Sequence, residues 1–199
     1  MVNSSEALKL LKEGNKSYRE GKSAFPNTDV ARRDSVVGSQ EPFAVIIGCA
    51  DSRVVPELVF DTGIGDLFVI RVAGNIIDDA VTASIEYAVS NLGTKLVVVL
   101  GHESCGAVTA AVNEVKGGHL DALTKAIRPA VETASKQDGD KVDNAIRQNA
   151  VNMTNLLRNS EPVIKDMVEN KGVEVVPAYY SLSTGEVEFI NVDQNHVVA

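Results

Sequence analysis

Two short runs of residues hold the side chains most able to bind a metal ion. They are residues 48–53 (GCADSR) and 101–106 (GHESCG), and each follows an aliphatic stretch that is expected to form a buried strand. Side chains just beyond the carboxyl ends of parallel strands meet in the crevice where open α/β sheets build their sites. Cys49, His102 and Cys105 would then supply two sulfurs and one imidazole. That ligand set suits zinc and leaves a fourth position open, as in catalytic sites.

Simpler interpretations of the same side chains exist. Cys49 and Cys105 are the chain's only cysteines, and free cysteines are commonly inert buried thiols. A disulfide between them is a second alternative, although two cysteines in a chain this long do not form a disulfide framework. Asp51 and Arg53 can form an ordinary surface ion pair, which contributes roughly 0–1 kcal/mol. Metal binding is favoured because a glycine lies beside each cysteine and His102 lies three residues from Cys105.

The composition indicates a single domain that spans residues 1–199. The chain is long enough to bury a full core, and 44% of its residues are hydrophobic. A net charge of −8 without a basic stripe argues against nucleic acid as a partner. No apolar run approaches the roughly 20 residues that span a bilayer, so no membrane association is expected. The first residues do not resemble a secretory signal, so the expected location is the cytoplasm, or an organelle stroma if a transit peptide has been removed.

The pattern of aliphatic runs predicts the fold class. Continuously aliphatic strands joined by helices are typical of a parallel sheet buried on both faces. We therefore expect an α/β fold with a central, mainly parallel β-sheet flanked by helices, an N-terminal helical arm and a C-terminal hairpin. The predicted strands are 43–47, 67–72, 96–100, 173–180 and 186–192. The predicted helices are 5–20, 56–60 (helix or turn), 80–92 and 105–115, followed by a helical region over 118–170 that Pro129 and Pro162 start or kink.

Three other features receive structural interpretations. Residues 21–42 are predicted to be an extended arm or loop, and residues 1–42 together are expected to pack on a partner subunit. Arg71 ends a predicted strand and is expected to be the partner of a carboxylate. Asp78 or Asp79 is expected to cap the helix that follows.

Residues 49–53 (CADSR), the pair His102-x-x-Cys105 and residues 71–75 (RVAGN) resemble the motifs of the β-class carbonic anhydrases. The resemblance is continuous from about residue 32 to residue 112. It implies one zinc ion per chain and the reversible hydration of carbon dioxide to bicarbonate and a proton. It also implies an α/β fold and a homodimer, often paired further into a homotetramer.

Asp51 and Arg53 are the predicted catalytic residues. Asp51 can accept a hydrogen bond from a zinc-bound hydroxide and so aim its attack on carbon dioxide, while Arg53 holds Asp51 ionised through a two-pronged contact. The resemblance implies the same pair, and it implies that Asp51 is a possible fourth zinc ligand in an inactive state. The predicted metal ligands remain Cys49, His102 and Cys105.

The resemblance also implies four residues of a small apolar pocket for carbon dioxide. Gln40 lies nine residues before the first cysteine, Phe68 lies in the second strand and Tyr87 lies in the following helix. Gly106 follows the second cysteine and is expected to supply a backbone N–H. Gln40, Phe68 and Tyr87 can belong to different subunits of a dimer.

Two other functions stay open for the same zinc site. Relatives of the fold hydrolyse carbonyl sulfide or carbon disulfide, although their motifs differ from residues 49–53 and 71–75 of this chain. A non-catalytic scaffold stabilised by zinc is the third possibility. Asp51 and Arg53 disfavour it, because a purely structural zinc ion needs neither residue.

Overall fold

The chain is built around one central sheet. A computed structural model describes residues 2–191, and within them a five-stranded sheet has the order β2-β1-β3-β4-β5. Neighbouring strands from β2 to β4 are parallel, and β5 is antiparallel to β4. The predicted fold class is therefore confirmed. The strands are Ala44–Gly48 (β1), Leu67–Arg71 (β2), Leu96–His102 (β3), Glu174–Tyr180 (β4) and Val187–Phe189 (β5).

The helices follow most of the predicted pattern. The region 118–170 divides into three helices, and Pro162 directly precedes the last of them, whereas Pro129 lies inside the first. Asp78 caps the helix after β2 by accepting the N–H of Val81, as predicted. Among the described helices, none is both long and apolar enough to cross a membrane. The helices are Ser4–Arg19 (α1), Val30–Ser35 (α2), Pro56–Val59 (α3), Asp79–Asn91 (α4), Gly106–Val112 (α5), Leu120–Ala134 (α6), Lys141–Arg158 (α7) and Val163–Asn170 (α8).

Both faces of the central strands are buried, as their continuous aliphatic sequences predict. In β1, Val45 and Ile47 pack on the side covered by α4, α7 and α8, while Ala44 and Ile46 pack on the side covered by α1 and α3. The alternation follows from the strand geometry, in which successive side chains point to opposite faces. β2 is an edge strand and is only partly buried.

The C-terminal strands form the predicted hairpin, with Tyr180 paired to Val187. Its second strand ends at Phe189, earlier than predicted, and the last predicted strand residue, Val192, lies outside the described residues. The hairpin places the turn after β4 close to the carboxyl ends of the parallel strands, where His102 pairs with Tyr180.

The arm over residues 21–42 is not entirely extended, so this prediction is wrong where α2 forms. Asp29 caps α2 by accepting the N–H of Arg32. The arm is tied to its own chain, because Asp61 accepts the N–H groups of two arm residues and Arg32 pairs with Asp66. The interpretation that residues 1–42 also pack on a partner subunit stays a prediction.

Asn15 fixes α1 to the body of the same chain. Its Nδ2 donates to the carbonyl oxygens of Val59 at 3.1 Å and Gly185 at 2.9 Å. Its Oδ1 accepts the N–H of Val187 at 2.9 Å. One side chain thereby joins α1 both to α3 and to the hairpin.

Replacing Asn15 with alanine is expected to lower the free energy of unfolding by about 2–4 kcal/mol, because buried backbone groups would lose their partners. Urea unfolding followed by circular dichroism measures this change. Lys9→Ala on the same helix is the matched control: its ion pair with Glu13 is exposed, and its removal should cost less than about 0.5 kcal/mol. Equal effects of the two substitutions would contradict the anchoring role of Asn15.

Candidate metal centre and active site

The three predicted ligands come together at the carboxyl end of the sheet. Gly48 of β1 pairs with Leu100 of β3, so Cys49 follows one strand while His102 ends its neighbour. Cys105 directly precedes α5. The ligand atoms of the three residues lie within 4.8 Å of one another, and all three side chains are buried. The predicted cluster is therefore present in the fold.

The spacing of the two sulfurs fits one shared metal ion. Cys49 Sγ and Cys105 Sγ lie 3.9 Å apart. Two sulfurs bound at about 2.3 Å to a tetrahedral ion stand about 3.8 Å apart. A disulfide needs an S–S distance of about 2.05 Å. Both cysteines are free, so the disulfide alternative is wrong.

The imidazole of His102 is oriented as a ligand. Its Nδ1 lies 2.8 Å from the carbonyl oxygen of Glu103. Because a carbonyl oxygen only accepts hydrogen bonds, Nδ1 carries the proton and Nε2 keeps a lone pair. Nε2 is buried and has no hydrogen-bond partner among residues 2–191. Buried polar atoms usually have a partner, and a metal ion would supply the one that this nitrogen lacks.

The two thiols differ in their affinity for protons. The pKa of Cys49 lies well below the usual thiol range, chiefly because its sulfur accepts a hydrogen bond from the Cys105 thiol. Hydrogen bonding to Cys49, together with burial, raises the pKa of Cys105. The two groups titrate as a pair, so without a cation they hold one proton and one negative charge. Binding of a metal ion by both sulfurs requires that this proton leave.

Gly74 donates its backbone N–H to Cys49 Sγ at 3.2 Å. It lies in the short 3₁₀ turn Ala73–Asn75 that follows β2, with a φ of +72°. A Cβ at this position would lie 2.8 Å from Ile127 Cδ1 and 3.1 Å from Ala107 Cβ. Glycine is required here both for the backbone conformation and for space. Sequence reasoning recognised this residue as part of a motif but missed its contact with the sulfur.

Arg53 holds the Asp51 carboxylate in a two-pronged contact. Its Nε lies 2.9 Å from Asp51 Oδ1 and its Nη2 lies 2.7 Å from Oδ2, while its backbone N–H also donates to Oδ1. These hydrogen bonds, with the guanidinium contact as the largest cause, hold the pKa of Asp51 far below its usual range. Asp51 Oδ2 lies 3.9 Å from His102 Nε2. The site therefore places a fixed, ionised hydrogen-bond acceptor beside the ligands.

Arg71 has a different role from the predicted one. Its Nε donates to the carbonyl oxygen of Cys49 at 2.9 Å and its Nη2 donates to that of Asp51 at 2.5 Å. Among residues 2–191 both of its hydrogen bonds go to the backbone, so the prediction that it partners a carboxylate is wrong for this part of the chain. Arg71 thus fixes the loop that carries Cys49 and Asp51 and places a positive charge next to it.

Glu103 joins the ligand loop to the hairpin turn, a contact that sequence reasoning missed. Its carboxylate accepts the Oγ–H of Ser181 and the N–H of Ser183, both at 2.9 Å. Its own N–H donates to the carbonyl oxygen of Tyr180 at 2.8 Å. These bonds fix Glu103, whose carbonyl oxygen orients the imidazole of His102. The partners are 78 and 80 residues away in sequence, and no spacing rule connects them.

Three of the predicted substrate residues lie together but away from the ligands of their own chain. The ring centroids of Phe68 and Tyr87 are 6.4 Å apart. Gln40 and Tyr87 line an open cleft of about 760 Å³, and the residues described around it include none of the three ligands. Phe68 pairs with Val45 near the start of β1, whereas the metal site lies beyond its end. Their predicted role in binding substrate stays a prediction.

Gly106, in contrast, lies directly beside a ligand. It follows Cys105 and begins α5. The first N–H groups of a helix have no partner within the helix. A Cβ at Gly106 would meet no atom within 4 Å, so the backbone borders open space. This position is compatible with the predicted N–H donor, which also stays a prediction.

Sequence comparison connects this geometry to known proteins. A family model described as "Carbonic anhydrase" matches residues 44–187, which include all three ligands. A protein of Mycobacterium tuberculosis named "Carbonic anhydrase 2" is 38% identical over 184 residues, which cover 90% of this chain and 89% of that protein. A "Carbonic anhydrase" of Mycolicibacterium smegmatis is 38% identical over 187 residues, covering 92% and 91% of the two chains.

Solved structures of the β class share the fold. A tetrameric β-carbonic anhydrase of Sordaria macrospora superposes with a TM-score of 0.76 at 25% identity, covering 90% of this chain and 94% of that one. The β-carbonic anhydrase of Coccomyxa, solved in complex with acetazolamide, gives a TM-score of 0.74 at 28% identity, with coverages of 92% and 86%. The matching family model, the relatives along nearly the whole chain and the shared fold establish that this chain belongs to the β-class carbonic anhydrases.

Proposed function

We propose that this carbonic anhydrase uses zinc to catalyse the reversible hydration of carbon dioxide to bicarbonate and a proton. The observation that carries the proposal is the buried Nε2 of His102, which lacks a partner among residues 2–191 and lies in one cluster with two cysteine sulfurs. A purely structural cluster would not need the locked carboxylate of Asp51 beside it. The combination of metal ligands and a fixed acceptor favours catalysis.

Zinc is the proposed metal, with one ion per chain held by Cys49 Sγ, Cys105 Sγ and His102 Nε2. Thiolate and imidazole ligands favour zinc over magnesium or calcium, which prefer oxygen ligands. When bound, zinc is a Lewis acid that makes water nucleophilic near neutral pH. Two thiolates give the site more negative charge than three imidazoles would. The guanidinium groups of Arg53 and Arg71, fixed beside the ligand loop, offset part of that charge.

Asp51 is proposed to orient the attacking water or hydroxide. An ionised carboxylate only accepts hydrogen bonds, so an oxygen that donates to Asp51 keeps its lone pair free for the carbon of the substrate. Arg53 occupies both carboxylate oxygens of Asp51. This contact keeps Asp51 ionised and restrains it from becoming a further metal ligand.

Gln40, Phe68 and Tyr87 are proposed to complete the carbon dioxide pocket of a second subunit. They lie on a side of the chain that is only partly covered: β2 is a mainly apolar edge strand, and Tyr87 is 46% exposed. Uncovered aliphatic edge strands favour association with another chain. The related structure from Sordaria macrospora is described as tetrameric. A homo-oligomer would account for the exposed strand and side chain. In it, the metal site of one subunit would lie next to Gln40, Phe68 and Tyr87 of the neighbouring subunit.

Zinc binding to the metal-free protein at pH 7.5 is expected to release about one proton per chain, because Cys49 is already largely ionised and Cys105 holds the remaining proton. Zinc affinity should therefore fall as the pH falls. Calorimetry in buffers of different ionisation enthalpy measures the proton count. Cys105→Ala is the comparison and should bind zinc weakly, because it lacks one of the two sulfur ligands. If the native chain bound zinc without releasing a proton, the assignment of the remaining proton to Cys105 would be wrong.

Asp51→Ala should keep its zinc but lower kcat/KM for carbon dioxide hydration by at least about 100-fold, because the nucleophile loses its acceptor. Stopped-flow hydration assays and metal analysis measure both properties. Asp34→Ala is the matched control, since it removes a similar but exposed contact with Arg33 and should leave the activity unchanged. Full activity of Asp51→Ala would contradict the proposed mechanism.

The native protein also tests the choice of substrate. Rapid sulfide release from carbonyl sulfide or carbon disulfide, with negligible carbon dioxide hydration, would show that the substrate is one of these sulfur compounds.

Mixed oligomers test the shared pocket. Gln40→Ala and Asp51→Ala are each expected to be weakly active alone. A dimer with one copy of each should regain about half of the native activity, because the Gln40→Ala subunit supplies an intact metal site and its neighbour supplies an intact Gln40. Separate affinity tags on the two copies allow this species to be purified and assayed. No recovery would show that both groups act within one chain.

A further inference from the structure

Asn149 is a polar residue in the buried stripe of α7. Its side chain is fully buried, beside apolar residues such as Ile146 and Ala150. Its Nδ2 donates to the carbonyl oxygen of Gly74 at 2.9 Å. Its Oδ1 is buried without a hydrogen-bond partner in the described part of the chain. Burial of an unsatisfied oxygen is unfavourable, so packing alone does not explain an amide here, and the one hydrogen bond that its side chain makes goes to Gly74.

Gly74 connects Asn149 to the metal site. The N–H of Gly74 donates to Cys49 Sγ, while its carbonyl oxygen accepts from Asn149. Glycine has wide freedom in both backbone angles, so the direction of this N–H depends on what holds the residue. Ile127 and Ala107 fill the space that a Cβ of Gly74 would need, and Asn149 supplies a hydrogen bond that holds its carbonyl.

We propose that Asn149 is a positioning residue for the metal ligand Cys49: it fixes Gly74 so that the N–H of Gly74 donates to the sulfur. The inference rests on the proposed zinc site. An N–H donor withdraws negative charge from a bound thiolate and restrains its direction. Groups that orient metal ligands in this way commonly change metal affinity by about 10- to 100-fold when they are removed.

The test compares Asn149→Leu with Thr154→Val. Leucine keeps the size of the side chain but cannot donate to Gly74. Thr154 is the matched control, because it is also fully buried on α7 and its hydroxyl has no partner among residues 2–191. The rate of zinc release to an excess of a chromogenic chelator is measured on the zinc-loaded proteins. Asn149→Leu should release zinc about 10-fold faster or more, whereas Thr154→Val should match the native protein.

A spectroscopic readout separates positioning from a structural role. In the cobalt-substituted proteins, the sulfur-to-cobalt absorption band should move to longer wavelength in Asn149→Leu, because a thiolate that loses a hydrogen-bond donor gives up electron density more easily. The unfolding midpoint of the metal-free protein is expected to fall because the buried Gly74 carbonyl loses its partner, but a loss of stability alone would not move the band. A folded Asn149→Leu with native release rate and native band position would overturn the proposal.

Two further outcomes have distinct meanings. If Asn149→Leu does not fold, Asn149→Ala is measured in its place, and failure of both to fold would show that the residue is structural and would overturn the proposal. If the native protein holds no zinc and takes up none, the proposed function fails, and the inference fails with it. If the native protein binds zinc and the folded Asn149 variant releases it at the native rate, the positioning role is wrong while the proposed zinc site stands.

Discussion

The structure depends on the burial of two sulfurs 3.9 Å apart together with an imidazole nitrogen that has no hydrogen-bond partner among residues 2–191. Without a cation this cluster holds one negative charge and an unsatisfied nitrogen, both of which are unfavourable in a buried site. The surroundings reduce that cost: the N–H of Gly74 donates to Cys49 Sγ, and the guanidinium of Arg71, at the end of β2, places a positive charge beside the loop that carries Cys49. A divalent cation bound by the cluster would satisfy the remaining demand.

The candidate metal ligands and most of the fold could be predicted because their signals are local. Aliphatic runs specify buried parallel strands, and parallel strands place the residues after them at one edge. Cys49 and His102 therefore meet although more than fifty residues separate them. The spacing of Asp51 and Arg53 likewise allows a pair within one turn of loop, and the structure contains that pair.

The supporting contacts could not be predicted because they depend on backbone atoms and tertiary packing. Arg71 donates to backbone carbonyl oxygens, which every residue has and which no sequence pattern therefore marks. Its positive charge alone suggested a carboxylate partner, and the described part of the chain provides backbone partners instead. Asn149 resembles an ordinary polar residue until α7 is packed against the turn that contains Gly74. Helix α2 was missed because its six residues bury no side chain and show no apolar stripe.

X-ray absorption at the zinc edge of the protein as isolated tests the central claim most directly, because it reports the identity and distance of the ligand atoms. The account predicts two sulfur atoms at about 2.3 Å and one nitrogen at about 2.0 Å, with a light atom in the remaining position. A zinc signal without a sulfur shell, or no zinc in carefully prepared protein, would contradict it.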